Sequence, residues 1–259
     1  MAHTFFRIKS YITYWLDAVD EHSLHSPFYF DFYTRIIKTR ADARSFSHIE
    51  NLRKQLLHDD RTISVEDLGS NRKVKTFRKI SFIARTSLST PEFSKLFNRM
   101  ANHFKANTIV ELGTSFGINA LYLAEKRDAS VITFEGSPAI ASIAELTFEF
   151  ASKKNVKLIS GNIDITLPAY LHHIRKIDLA FMDANHRYEP TIRYFDCLLK
   201  KFADKSILII DDIHYSPEME KAWKMIKTHR LVYGSVDLFR CGIVFFDPSL
   251  NKQHVILQL

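Results

Sequence analysis

From residue 107 onward this chain alternates between two hydrophobic periods, and that alternation leaves few folds open. Apolar, strand-like runs occupy 108–112, 130–134, 156–160, 177–182, 206–211, 231–238 and 241–246. Between them apolar residues recur at helical spacing, as in Ile140/Ile143/Ala144/Phe148, Ile192/Phe195/Leu198/Leu199/Phe202 and Met219/Ala222/Trp223/Ile226. Five strands alternating with helices predict a parallel sheet covered on both faces. The last two runs are joined by a short link and predict an antiparallel hairpin. The fold class is α/β.

The first run carries a second constraint. Thr108-Ile109-Val110-Glu111-Leu112-Gly113-Thr114-Ser115-Phe116-Gly117-Ile118-Asn119-Ala120-Leu121 reaches an acid, passes two glycines four apart and becomes helical. The chain has only 7 Gly, so two in one turn need a cause. A sharp strand-to-helix bend that a ligand approaches closely supplies it. A dinucleotide fingerprint would place glycine at 113, 115 and 118, but Ser115 and Ile118 stand there. The pattern E-x-G-x-S-x-G resembles the first motif of class I S-adenosylmethionine (SAM) methyltransferases. That resemblance spans 90–259, roughly two thirds of the chain. It implies a Rossmann-like, seven-stranded sheet closed by the C-terminal antiparallel hairpin. A SAM-binding domain over 89–259 would then follow an α-helical region over 1–88 that covers the site and selects substrate.

In such a sheet ligands sit beyond the carboxyl ends of the strands. The resemblance therefore implies that Glu111, Gly113, Thr114, Ser115 and Gly117 line the methionine end of SAM, with Asn119 and Tyr188 shaping the pocket. The next strand ends in Glu135-Gly136. A carboxylate there accepts two hydrogen bonds from ribose hydroxyls, which a neutral side chain does less well. Gly161-Asn162-Ile163-Asp164 then resembles the family's adenine-contacting segment, with Asn162 where the family has an acid. Asp164 is its rival there, or else the cap of the following helix.

Two further segments bear on the reaction. The run at 177–182 leads into Asp183-Ala184-Asn185-His186-Arg187-Tyr188, and Ile207–Ile210 leads into Asp211-Asp212-Ile213-His214. Three carboxylates at adjacent strand ends repel unless paired, and Mg²⁺ would relieve that repulsion. The pattern resembles metal-dependent O-methyltransferases. The catechol and caffeoyl-CoA enzymes form one branch; the sugar and macrolide enzymes, with D-G-D-H-x-Y and V-D-D-Y segments, match more closely. The resemblance implies Asp183, Asp211 and Asp212 as metal ligands, Asp183 also bordering the cofactor, and a cation that lowers the pKa of the acceptor hydroxyl. Asn185 departs from the pattern, because the relatives' general base stands at that position and an amide takes no proton. His186 and His214 are the adjacent alternatives. Each also has a structural reading, loop orientation for His186 and a cap near Pro217 for His214. The N/D-P-P-Y segment of amino-methylating enzymes is absent, and Cys197 lies on an apolar helical stripe rather than as a nucleophile.

Composition narrows the class. With 36 Lys+Arg against 29 Asp+Glu the chain is basic, and all of the excess lies in 1–105, which holds 18 against 11. That half reads as helices: Ile8, Ile12, Trp15, Leu16 and Val19 share a face, Ser26-Pro27 and Thr90-Pro91 open helices, and helical signals cover about 46–58 and 72–84. A loop is expected at 66–71. His22-Ser23-Leu24-His25-Ser26-Pro27-Phe28 is either an interhelix turn or part of a substrate lid. Arg72, Lys73, Lys75, Arg78 and Lys79 either face an anionic ligand or form the solvated side of a helix whose core is Phe77, Ile80 and Ala84. Two cysteines without metal or redox spacing, no signal-peptide pattern and no membrane-spanning run predict a cytoplasmic protein. The function expected is methyl transfer from SAM to a hydroxyl of a small-molecule or glycan acceptor. A non-catalytic SAM-binding scaffold and an RNA methyltransferase are the other readings; a homodimer is left open.

Overall fold

The structure, a computed structural model, describes residues 2–39, 46–66, 75–126 and 128–259. The chain divides into two compact units, Arg40–His172 and the pair Met1–Thr39 with His173–Leu259. This division differs from the boundary at 88/89 expected from sequence.

The discontinuous unit begins with α1 (Ala2–Asp17) and α2 (Pro27–Phe32). One face of α1 is anchored by Tyr14, whose hydroxyl donates to the Leu257 carbonyl at 2.6 Å, and by Ser10 to Glu220 at 3.3 Å. The apolar stripe seen in the sequence points elsewhere: Ile8, Ile12, Trp15 and Leu16 are all more than half exposed. Pro27 opens α2 as expected, and Tyr29, Phe32, Tyr33 and Ile36 are buried as the helix widens over 33–37. The segment before it is a short turn in which Asp20 accepts from the His22 N–H.

The continuous unit contains α3 (Ser47–Leu57), β1 (Thr62–Glu66), β2 (Lys75–Lys79), α4 (Ile80–Ser87), α5 (Pro91–His103), β3 (Thr108–Leu112), α6 (Ile118–Ala124), β4 (Ser130–Glu135), α7 (Pro138–Phe150), β5 (Val156–Ser160) and α8 (Ile163–Leu171). Strands β3, β4 and β5 pair in parallel and in that order, as the apolar runs predict.

The expected helix over 72–84 is corrected. Residues 75–79 are a strand paired antiparallel with β1, Phe77 opposite Ser64, and the helix starts only at Ile80. Phe77 is 77% exposed and is no core residue, whereas Ile80 and Ala84 are buried on α4 as expected. Cross-strand pairing of Thr76 with Val65 supplies what the local sequence lacks. Lys75, Arg78 and Lys79 are all exposed, with Lys79 paired to Asp60 at 3.2 Å. Arg72 and Lys73 lie outside the described residues, as do 67–71 of the expected loop.

The chain returns to the first unit with β6 (Ile177–Met182), α9 (Tyr188–Leu199), β7 (Phe202–Asp211), α10 (Pro217–Lys227), β8 (Gly234–Asp237), β9 (Cys241–Phe245) and β10 (Gln253–Ile256). Strand order here is β10-β8-β9-β7-β6, with β6/β7 parallel and β9 antiparallel to both β7 and β8. The predicted hairpin is β8/β9. An eighth strand, β10, pairs in parallel with β8 beyond the seven expected. Helix α10 shows why these elements form where they do. The Ser216 hydroxyl accepts from the Met219 N–H, Pro217 opens the first turn, Glu218 and Glu220 lie at the N-terminus and Lys224 and Lys227 at the C-terminus. Its buried stripe is Met219, Ala222, Trp223 and Ile226. Trp223 takes up the space of the missing side chain at Gly242, where a Cβ would lie 2.6 Å from its ring.

Candidate functional site

In the continuous unit the end of β3 turns into α6 through residues held at positive φ: Gly113 at 96°, Ser115 at 49° and Gly117 at 82°. Gly117 has a packing reason as well, since a Cβ there would lie 2.5 Å from the Phe148 ring of α7. The turn is fastened to β4 by one carboxylate. Glu135 accepts from the Ser115 N–H through Oε2 and from the Ser137 N–H through Oε1, both at 2.9 Å. The Gly136 N–H also acts on this carboxylate, whose four acceptor positions still leave capacity for an external donor. Burial pushes the Glu135 carboxyl up, and backbone N–H donors pull it back. Gly136 follows at the same strand end, half-buried.

Glu111 has a different surrounding. It is fully buried and accepts from Thr133 Oγ1 at 2.5 Å and Asn119 Nδ2 at 2.9 Å, while the Thr114 hydroxyl donates to Thr133 at 2.6 Å. Asn119 thereby orients Glu111, and its Oδ1 is buried without a hydrogen-bond partner. An orphaned buried acceptor next to a half-buried carboxylate fits the donors of a SAM amino group and ribose. Asn162 does a local job: its side chain accepts from the Asp164 N–H at 3.0 Å and caps α8, so Asn162, not Asp164, is the cap.

Burial pushes the Glu111 carboxyl from an ordinary 4.5 up to about 7, against the pull of its two hydrogen-bond donors. Between those values the unfolded chain ionises while the folded one keeps its proton, so stability falls as pH rises through this window and the loss is complete above about 7. Relative to Glu111→Gln, the wild type should lose on the order of 3 kcal/mol from pH 4.5 to 7.5. Melting curves of the two proteins across that range check this; curves that run parallel would refute it.

In the discontinuous unit the ends of β6 and β7 carry the acidic residues, on backbone that is itself unusual: Asn185, His186 and Asp212 have φ of 66°, 36° and 55°. Non-glycine residues in this region cluster at functional sites. Asp211 is 1% exposed and held by a two-pronged pair, Arg240 Nε to Oδ1 at 3.1 Å and Nη2 to Oδ2 at 2.8 Å. His186 lies 3.4 Å from Asp183 and 3.9 Å from Asp212. Burial and the neighbouring Asp211 push the Asp212 carboxyl up, while His186, Arg240 and Arg7 pull it down.

Mg²⁺ demands near-octahedral oxygen ligation at about 2.1 Å. These residues do not fit that demand, because both oxygens of Asp211 are engaged by Arg240, and among the described residues no three His, Cys, Asp or Glu side chains converge as a cage. Asn185 is no proton acceptor; its Nδ2 donates to the Tyr194 hydroxyl at 2.6 Å. His214 does not cap α10, a task Ser216 performs. It stacks on Phe239 and binds Asp237 through Nε2 at 2.9 Å, while Trp223 Nε1 donates to the same carboxylate oxygen at 3.2 Å.

Arg240 and Asp237 were not singled out in the sequence. The signal that could have found Arg240 is register: an antiparallel neighbour of 206–211 must supply a cation opposite a buried aspartate, and β9 pairs Asp211 with Cys241. A cavity of about 550 Å³ in the same unit is lined by Thr4, Arg7, Ile8, Tyr11, Tyr215 and Phe239. The Arg7 guanidinium lies 5.8 Å from the Tyr215 ring centre.

Comparison with known proteins bears on the fold. Residues 110–213 match a family model described as a methyltransferase domain. The fold is the one that solved SAM-dependent methyltransferases share. An O-methyltransferase from Bacillus cereus, solved with S-adenosylhomocysteine, is 16% identical with a TM-score of 0.56, covering 83% of this chain and 96% of its own. The O-methyltransferase TomG from Streptomyces achromogenes, involved in tomaymycin synthesis and solved with SAM, is 16% identical with a TM-score of 0.57, covering 84% and 95%. A methyltransferase from Podospora anserina bound to S-adenosylhomocysteine is 14% identical with a TM-score of 0.55, covering 80% and 97%. No curated protein sequence matches. Among the described residues no helix is long and apolar enough to cross a membrane.

Proposed function

We propose that this protein transfers a methyl group from SAM to a hydroxyl of a small-molecule or glycan acceptor. The observation that carries the reading is Glu135, which fastens the Gly113–Gly117 turn through Ser115, holds Ser137 through its other oxygen and keeps acceptor capacity for a ligand. SAM supplies an electrophilic methyl on a sulfonium; displacement by the acceptor oxygen gives a methyl ether and S-adenosylhomocysteine. Glu135 receives the ribose hydroxyls, with Gly136 leaving room beside it. Asn119 Oδ1 and the Gly113-Thr114-Ser115 backbone receive the methionine end. His186, 3.4 Å from Asp183, takes the acceptor's proton. His186 suits this better than His214, since its side chain is 32% exposed against 13% and is not locked into a network with Asp237 and Trp223.

The cavity beside α1 is of the size that holds small ligands. Its Tyr11, Tyr215 and Phe239 rings offer flat apolar contact to an aromatic or sugar ring, and Arg7 offers a positive charge. RNA is less well supported: on the β1/β2 hairpin Lys79 and Arg61 are each paired with an aspartate.

Calorimetric titration with S-adenosylhomocysteine tests the reading. Binding in the micromolar range, about −8 kcal/mol, is expected. No heat at all would move the protein to a scaffold role, which the amides at Asn162 and Asn185 would then explain.

A further inference from the structure

We propose that Arg240 is the resident cation of the acidic cluster, holding the place that a divalent metal would otherwise take, so that this site works without one. The inference concerns the site proposed above, but it stands on the pairing geometry of one unit.

Asp211, Asp212 and Asp183 bring three carboxylates to the ends of two paired strands, and their repulsion requires compensating charge. Asp211 is the deepest of them at 1% exposure, and a guanidinium is the one side chain that can engage both carboxylate oxygens in a planar fork. Arg240 does this with two N–H donors. Its position is fixed by the fold: it immediately precedes β9, whose first residue pairs with Asp211 across the sheet. Burial pulls the Arg240 guanidinium down, but Asp211, with Asp183 and Asp212, outweighs it and pushes the guanidinium up, so it stays charged. A divalent ion entering here would have to expel a permanent cation from both oxygens of a buried carboxylate.

The test is a Mn²⁺ titration of the full chain, read as loss of the free-ion paramagnetic resonance signal. It needs no acceptor and no turnover, so the inference can fail while SAM binding stands, and the reverse. The wild type is expected to show no stoichiometric site tighter than about 1 mM. Arg240→Ala vacates Asp211 and should gain Mn²⁺ affinity at least tenfold over the wild type; Mn²⁺ should also raise its melting temperature but not that of the wild type. A wild-type site tighter than 1 mM that weakens in Asp211→Asn would overturn the proposal. So would a well-folded Arg240→Ala that gains no affinity. Should Arg240→Ala fail to fold, Arg240→Gln removes the charge and keeps much of the bulk; an affinity gain there supports the proposal, and none overturns it.

Discussion

Glu135→Ala is expected to weaken S-adenosylhomocysteine binding by about 30- to 150-fold, the loss of a charge-assisted interaction worth about 2–3 kcal/mol. Two effects combine. The ribose loses its charged acceptor, and the N–H groups of Ser115 and Ser137 lose the oxygens that hold the turn after β3 against β4. Ser115 is at φ 49°, so that turn has little intrinsic reason to keep its shape without the clamp. Calorimetry gives the affinity, and the melting temperature shows whether the domain is intact. A dissociation constant within threefold of wild type in a folded variant would remove Glu135 from the binding site.

Asp211→Asn should be the most destabilising conservative change at the acidic cluster. It keeps the shape of the side chain and removes the charge, leaving Arg240 partly buried without its carboxylate. Breaking a buried pair by deleting one partner costs about 3–5 kcal/mol. The Arg240 side chain is 26% exposed, so water recovers part of that loss, and about 2–3 kcal/mol is expected. For a chain of this size that is a fall in melting temperature of roughly 5–10 °C. An unchanged melting temperature would mean the pair contributes nothing, and the role of Arg240 would fall with it.

What could be foreseen in the sequence was what depends on neighbours in the chain. The turn at Gly113–Gly117, the acid at the end of β4 and the β8/β9 hairpin each announce themselves within a dozen residues. The β1/β2 hairpin did not, because Phe77, Ile80 and Ala84 fall at helical intervals while the evidence for a strand lies in pairing with 62–66. The extra strand β10 was hidden for the same reason: four residues have no period of their own and become a strand only beside β8. Asp211 was visible as an acid at a strand end, but its chemistry depends on Arg240, 29 positions away. Its residue type suggests a metal ligand; its register gives it a guanidinium.

The two segments of the discontinuous unit have a consequence in time. Tyr14 bonds to Leu257 at 2.6 Å, and Val19 bridges to the same residue. During synthesis the first helix therefore emerges long before the strand that receives it. At ribosomal speed, residues 40–172 alone occupy on the order of ten seconds. For that interval the Tyr14 face of the helix waits without its tertiary partners, and a chaperone that shelters emerging helices would find its substrate there.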